Sequence, residues 1–206
     1  VSYITMPDGA KFDYNLGGVA VDGWLTSGKV VIEPNGYGIK VAGEEVTNLN
    51  CKDLSVIDGV EGKMSYNFNT NTLTMEDVTI NAAGNDNGIV IYGTESLKIK
   101  VVGNNSITSD GTCITLTKPS TISGPGTFRL KSRSNCGIYM RSHLTVDSVK
   151  LYTEGKWGIA GYDGHNGEIL IIHDSYLEAT GPNGSFCDLG DIVLDGSVIT
   201  QPAGAA

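Results

Sequence analysis

Apolar residues recur along this chain in a fixed pattern: one apolar position, a short polar or acidic corner, and a second apolar position five or six residues further on. Six segments carry it: Met75 to Ile80 (MEDVTI), Val101 to Ile107 (VVGNNSI), Ile122 to Phe128 (ISGPGTF), Val146 to Leu151 (VDSVKL), Ile172 to Leu177 (IHDSYL) and Leu194 to Ile199 (LDGSVI). Their first residues stand 26, 21, 24, 26 and 22 positions apart, a repeat of about 24 residues. A unit so short cannot bury its own apolar face, so neighbouring units must stack and share one continuous core.

A third apolar column runs through the same units at positions 89, 114, 138, 159 and 186. Each unit therefore offers three short aliphatic or β-branched runs with period-two alternation, divided by Gly, Asn, Asp, Ser and Pro. Three strands per unit and no helical period predict an all-β parallel β-helix. A leucine-rich repeat is the nearest competitor, but its leucine and asparagine spacing is absent. The coils are expected between residues 73 and 200, with Ile89, Ile114, Ile138, Ile159 and Phe186 in one buried row.

Residues 1 to about 66 do not join the repeat. Strands are readable at Lys29 to Ile32, Tyr37 to Ala42 and Leu54 to Ile57, and Ser65 to Phe68 with Thr72 to Met75 reads as a hairpin around Asn69-Thr70-Asn71. An open β-helix end exposes unpaired backbone groups and apolar core, which an N-terminal β-rich cap at 1–66 would cover, leaving 67–206 as the β-helix. At the other end Val198-Ile199-Thr200 keeps the pattern and is followed only by Gln201 to Ala206. That tail is too short to shield a coil, so a further coil or domain, or a protein contact with a second molecule, is expected there.

Composition agrees with a turn-dense β protein, with 28 Gly, 9 Tyr and 6 Pro in 206 residues. Lys and Arg total 14 against 23 Asp and Glu, a formal charge of -9, which makes nucleic acid and anionic membranes poor partners. No apolar stretch is long enough to span a bilayer, and the chain opens at Val1, consistent with removal of an export signal. Cys51, Cys113, Cys136 and Cys187 form no CxxC pair, so neither zinc nor a redox motif is indicated and free thiols are expected.

The run LKIKVVGNNSITSDGTCITLTKPSTISGPGTFRLKSRSNCGIYMRSHLTVDSVKLYTEGKWGIAG, residues 97 to 161, resembles the right-handed β-helix carbohydrate-binding domains of secreted bacterial proteins. In those domains GxNxI, IxGxGxL, GI and LTI recur in that order. The preceding VAGEEVTNLNCKDLSVIDGVEGKMSYNFNTNTLTMEDVTI, residues 41 to 80, looks like a segment common in exported proteins of gut Bacteroidetes. The resemblance implies a right-handed parallel β-helix, a secreted or cell-surface location and a polysaccharide ligand. Its motifs are turn and core chemistry, so they specify the fold far better than the ligand.

Polygalacturonases and pectate lyases resemble one another in clustering carboxylates on one outer sheet, because glycosidic cleavage needs a paired acid and base, or calcium with a basic residue. Here the outward positions of the third column are Val90, Thr115, Tyr139, Ala160 and Cys187, then Tyr92, Thr117, Arg141 and Tyr162. No carboxylate pair stands among them, and the NTD, GDD, HG and RIK motifs of polygalacturonases are missing, so a non-catalytic role is expected. The stripe is aromatic instead: Tyr92, Tyr139 and Tyr162, with Arg141 between them, offer rings of the kind that grip sugar faces. Tyr152 and Tyr176 form a weaker outward pair.

The corner after this stripe expands in one unit to Tyr162-Asp163-Gly164-His165-Asn166-Gly167-Glu168. Asp163, Asn166, Glu168, Asp188 and Asp191 are the candidate ligands for a Ca2+ ion, which takes roughly six to eight oxygens. His143 and His165, one coil apart, are candidates for a transition metal. Asp77, Ser148, Asp174 and Gly196 recur at another corner and are assigned to turn structure, since short polar residues bond their own backbone there. The function expected is non-catalytic polysaccharide binding, with an adhesin or assembly module as the rival and a polysaccharide lyase or hydrolase third.

Overall fold

The computed structural model describes residues 3–33, 35–84, 86–93, 96–165 and 167–198. Three ladders of short strands wrap about five turns of a parallel β-solenoid. Side A carries Ile89–Ile91, Ile114–Leu116, Cys136–Met140, Trp157–Gly161 and Phe186–Cys187. The long strand Thr72–Ala82 opens both other sides. From its first half, side B continues through Leu97–Val102, Ser120–Ser123, Leu144–Asp147, Ile169–His173 and Asp191–Asp195. From its second half, side C continues through Asn104–Ser109, Thr127–Ser132, Lys150–Glu154 and Tyr176–Thr180.

The third column pairs in the expected register, Ile89 with Ile114, then Ile138, Ile159 and Phe186. The four isoleucines are fully buried, but Phe186 is 40% exposed. Phe186 lies in the last coil, and no strand covers it on the far side among the described residues. The same opening leaves the inward residues Ile192 and Leu194 of Asp191–Asp195 partly in solvent, whereas their counterparts Leu170 and Ile172 in the preceding coil are buried.

The other two columns depart from the sequence alignment by two residues at one place. Ile99 rather than Val101 stands opposite Ile122, and Asn105 rather than Ile107 stands opposite Phe128. The corner Gly124-Pro125-Gly126 is drawn in under Val101: the Gly126 N–H donates to the Val101 carbonyl at 3.2 Å, and a Cβ on Gly124 would lie 2.3 Å from that oxygen. Asn105 consequently enters the core column. Its Oδ1 accepts the Val78 N–H at 2.9 Å and its Nδ2 donates to the Val102 carbonyl at 2.8 Å, satisfying a buried amide.

Corners between sides B and C turn through left-handed backbone at Asp77, Gly103, Gly124, Ser148, Asp174 and Gly196. A side chain there is strained unless it is short and polar, which accounts for the recurring Asp, Ser and Gly. Asp77 also reaches the next coil, its Oδ1 accepting the Asn104 N–H at 2.8 Å.

The cover on the first coil comes from residues 36–67. Gly36–Val41 adds antiparallel to Ile89–Ile91, and Val60–Asn67 adds antiparallel to Thr72–Ala82 through the expected hairpin. Val46, Cys51, Leu54, Ile57 and Met64 pack into the same core as Leu73 and Ile89. Leu54 to Ile57 is not a strand but a 3-10 turn at Leu54–Val56, because the Asp53 carboxylate caps the Ser55 N–H at 3.1 Å. Residues 3–33 form two further sheets outside that core: Tyr3–Met6 with Val31–Glu33, and Lys11–Asp13, Gly18–Val21 and Trp24–Leu25. Phe12, Tyr14 and Trp24 remain exposed on them.

Candidate functional site

Side A presents its outward residues in register, Val90, Thr115, Tyr139, Ala160 and Cys187. Beyond them the ladder continues, with the Thr117 N–H donating to Ile91 O at 3.0 Å and the Arg141 N–H to Leu116 O at 2.9 Å. Three of the four predicted ligand-binding residues come together here. The Arg141 guanidinium lies over the Tyr162 ring, 3.9 Å from its centroid. Tyr139 sits half-buried beside the pair; burial raises the pKa of its phenol, while the Arg141 charge pulls the other way. Tyr92 stands apart, at the capped end. Its hydroxyl bonds the Glu45 carboxylate of the cap, and its pKa is pushed up to about 12, chiefly by burial and then by Glu45.

The expanded loop next to this stripe is held from within. Glu168 is buried, and its Oε2 accepts the Asp163 N–H at 3.1 Å and the Gly164 N–H at 3.0 Å. Its own N–H donates to His165 O at 3.0 Å, and the Gly190 N–H of the next coil donates to Glu168 O at 3.0 Å. Asp163 lies 3.0 Å from the His165 ring, while Asp188 and Asp191 are exposed on the following coil. Asn166 lies outside the described residues. Among the described residues, no group of three or more His, Cys, Asp or Glu side chains is placed to hold a metal ion.

Two further constellations stand away from that stripe, the first of them not expected from the sequence. On side B, Asp147, His173 and Asp195 occupy one column. The His173 Nδ1 is 3.0 Å from Asp147, and its Nε2 is 3.6 Å from both Asp174 and Asp195. The hydrogen bond to Asp147 and the neighbouring carboxylates raise the imidazole pKa, while that bond and the Ser148 hydroxyl lower the Asp147 pKa. The signal was present in the sequence, since VDS, IHD and LDG align at that corner.

The second lies on side C, where Tyr152 does more than the weaker pairing with Tyr176 suggested. The Arg129 guanidinium of the preceding coil sits 4.0 Å from the Tyr152 centroid, and the Tyr176 ring of the next coil sits 5.3 Å away, tilted by 43°. Lys131 and Glu154 pair at 2.9 Å alongside, and the Tyr176 hydroxyl donates to Glu178 at 2.9 Å. Arg129, Lys131, Tyr152, Glu154, Glu178 and Thr180 line an open concavity of about 280 Å³ there.

Comparison of the chain with family models, with curated proteins and with solved structures finds no match. No helix among the described residues is long and apolar enough to cross a membrane.

Proposed function

We propose that this β-solenoid is a non-catalytic polysaccharide-binding module of a secreted or cell-surface bacterial protein, holding its glycan on the outward stripe of side A. The observation that carries this reading is the Arg141–Tyr162 stack beside Tyr139 on a rigid strand ladder. A guanidinium laid on a ring fixes both groups, so little side-chain entropy is lost when a sugar docks, and aromatic surface of this kind contributes through area and ring geometry. Tyr92, nearer the cap, lengthens the stripe to neutral or weakly charged chains of several sugars.

A glycan array with follow-up calorimetry tests the reading. Loss of a stacking ring at Tyr139 or Tyr162 should weaken binding about tenfold. A variant with alanine at positions 92, 139 and 162 that keeps full affinity overturns the assignment to side A. Reading the array with calcium and with chelator tests the loop as well: a calcium-dependent signal lost with Asp163→Asn and Asp188→Asn would assign the ion to that loop.

A second reading, an adhesin or assembly module, is favoured by a separate observation, the exposed apolar groups Phe186, Ile192, Val193 and Leu194 in the last coil. It predicts a concentration-dependent increase in mass by light scattering that Val193→Lys with Leu194→Lys abolishes.

A further inference from the structure

We propose that the concavity on side C is a second saccharide subsite, taking a neutral, extended oligosaccharide laid along the solenoid axis with the packed Arg129, Tyr152 and Tyr176 side chains as its platform. The inference rests on the glycan-binding reading but uses none of the residues of side A.

Three features of the patch carry it. First, its residues form a grid set by strand register. Arg129, Tyr152 and Glu178 occupy one row across three coils, and Lys131, Glu154 and Thr180 the next. Coils repeat about every 4.8 Å, close to the length of one pyranose in an extended chain, so successive sugars along the axis meet successive coils: Arg129 and Lys131, then Tyr152 and Glu154, then Glu178 and Thr180. Second, the polar groups are already organised. Lys131 holds Glu154 at 2.9 Å, Tyr176 holds Glu178 at 2.9 Å, and Arg129 is laid on Tyr152, so each is fixed while lone pairs and N–H donors remain for sugar hydroxyls. Third, the charge is balanced. Arg129 and Lys131 face Glu154 and Glu178, so the lining carries no net charge on a chain whose formal charge is -9. An anionic glycan gains nothing from this patch and is repelled by the rest of the molecule, whereas a hydroxyl-rich neutral chain finds donors and acceptors on both sides of an aromatic platform.

The concavity is shallow, and its 280 Å³ accommodates one or two sugar rings at a time, so the subsite is one of modest affinity that adds to side A through linkage on the same chain.

The test is a two-dimensional amide NMR titration of the intact protein with neutral oligosaccharides, a β-linked glucan, xylan and mannan series, and with an oligogalacturonate of equal length. The expected result is saturable shifts in Thr127–Ser132, Lys150–Glu154 and Tyr176–Thr180 with at least one neutral series and none with the uronate. Tyr152→Ala should weaken the side C response about tenfold and leave that of side A unchanged, while Tyr162→Ala should do the converse. Tyr152→Phe, which keeps the ring, should retain binding and controls for folding. Shifts confined to side A would overturn this proposal and leave the proposed function standing. Shifts confined to side C would overturn the side A assignment and leave this one standing. Stronger side C shifts with the uronate, or none with any sugar at millimolar concentration, would overturn the subsite.

Discussion

At the scale of single residues, position in the coil decides what a polar side chain does. Asn105 reads as a turn residue in VGNNSI, yet the drawn-in glycine corner of the following coil places it in the core, where it serves Val78 and Val102. Asn105→Ala should therefore cost about 1–3 kcal/mol in chemical denaturation, because it leaves a buried N–H and a carbonyl without partners. Glu168 shows the limit of the sequence: it stood out as a metal ligand by composition, but its staple to Asp163 and Gly164 depends on how a seven-residue loop closes, which no periodicity encodes. His173 supplies a pH dependence. Its pKa is raised in the folded state, so its contribution is fully present below the ordinary value of 6.5 and is lost as pH rises through the higher folded value. The Asp147 pKa is lowered, so its side of the same pair is present above 3.8 and is lost as pH falls through the lower folded value. The thermal midpoint difference between the protein and His173→Gln should be largest between those limits and shrink on either side. Both side chains are about 40% exposed, so solvent screening keeps the effect small. A difference that grows above neutral pH would contradict this pairing.

At the scale of elements, the corners and the glycine contacts set how closely coils approach. Left-handed corners were legible because Asp77, Ser148, Asp174 and Gly196 recur at one phase of the repeat. The two-residue shift at Gly124 was not, since spacing alone does not reveal how deeply a GPG corner is drawn in. The 3-10 turn at Leu54–Val56 is hidden for a similar reason: Leu54 and Ile57 are both buried, which fits a strand or a turn, and the capping role of Asp53 decides between them. Gly161 tests coil spacing directly. A Cβ there would lie 1.7 Å from the Asp188 carbonyl of the next coil and 2.7 Å from Glu168 Oε2. Gly161→Ala should cost about 1–3 kcal/mol in a urea unfolding curve, and it should loosen the loop at 162–168, because backbone rather than a flexible side chain must move. An unchanged midpoint would mean that the last two coils are not held in contact there.

For the whole molecule, the solenoid is an array whose stability is approximately a sum over coils and their interfaces, and that sum is uneven. The architecture was readable because stacking repeats one apolar pattern, whereas the side C grid was not, because it arises from register between Arg129, Tyr152 and Glu178 on coils about 24 residues apart. Ile138 lies in the middle of the array with covered coils on both sides, so Ile138→Asp places an unpaired charge in the buried row and should cost about 3–5 kcal/mol. Leu194→Asp, at the inward position of the last coil in register with Ile172 and 37% exposed, should cost less than about 1 kcal/mol. The same asymmetry should appear without any mutation. Leu97–Val102 and Ile114–Leu116 are flanked by strands on both sides, while Tyr176–Thr180 and Asp191–Asp195 are flanked on one side only among the described residues. Opening of the last coil exposes little additional apolar surface, because Phe186, Ile192 and Leu194 are already partly solvated, whereas opening of a central coil uncovers fully buried isoleucines on both of its faces. Native-state hydrogen exchange should therefore run about a hundredfold faster or more in the hydrogen-bonded amides of 176–180 and 191–195 than in those of 97–102 and 114–116. If the array instead behaves as one cooperative unit, all four segments will exchange at a single rate set by global unfolding, and the uneven sum will be refuted.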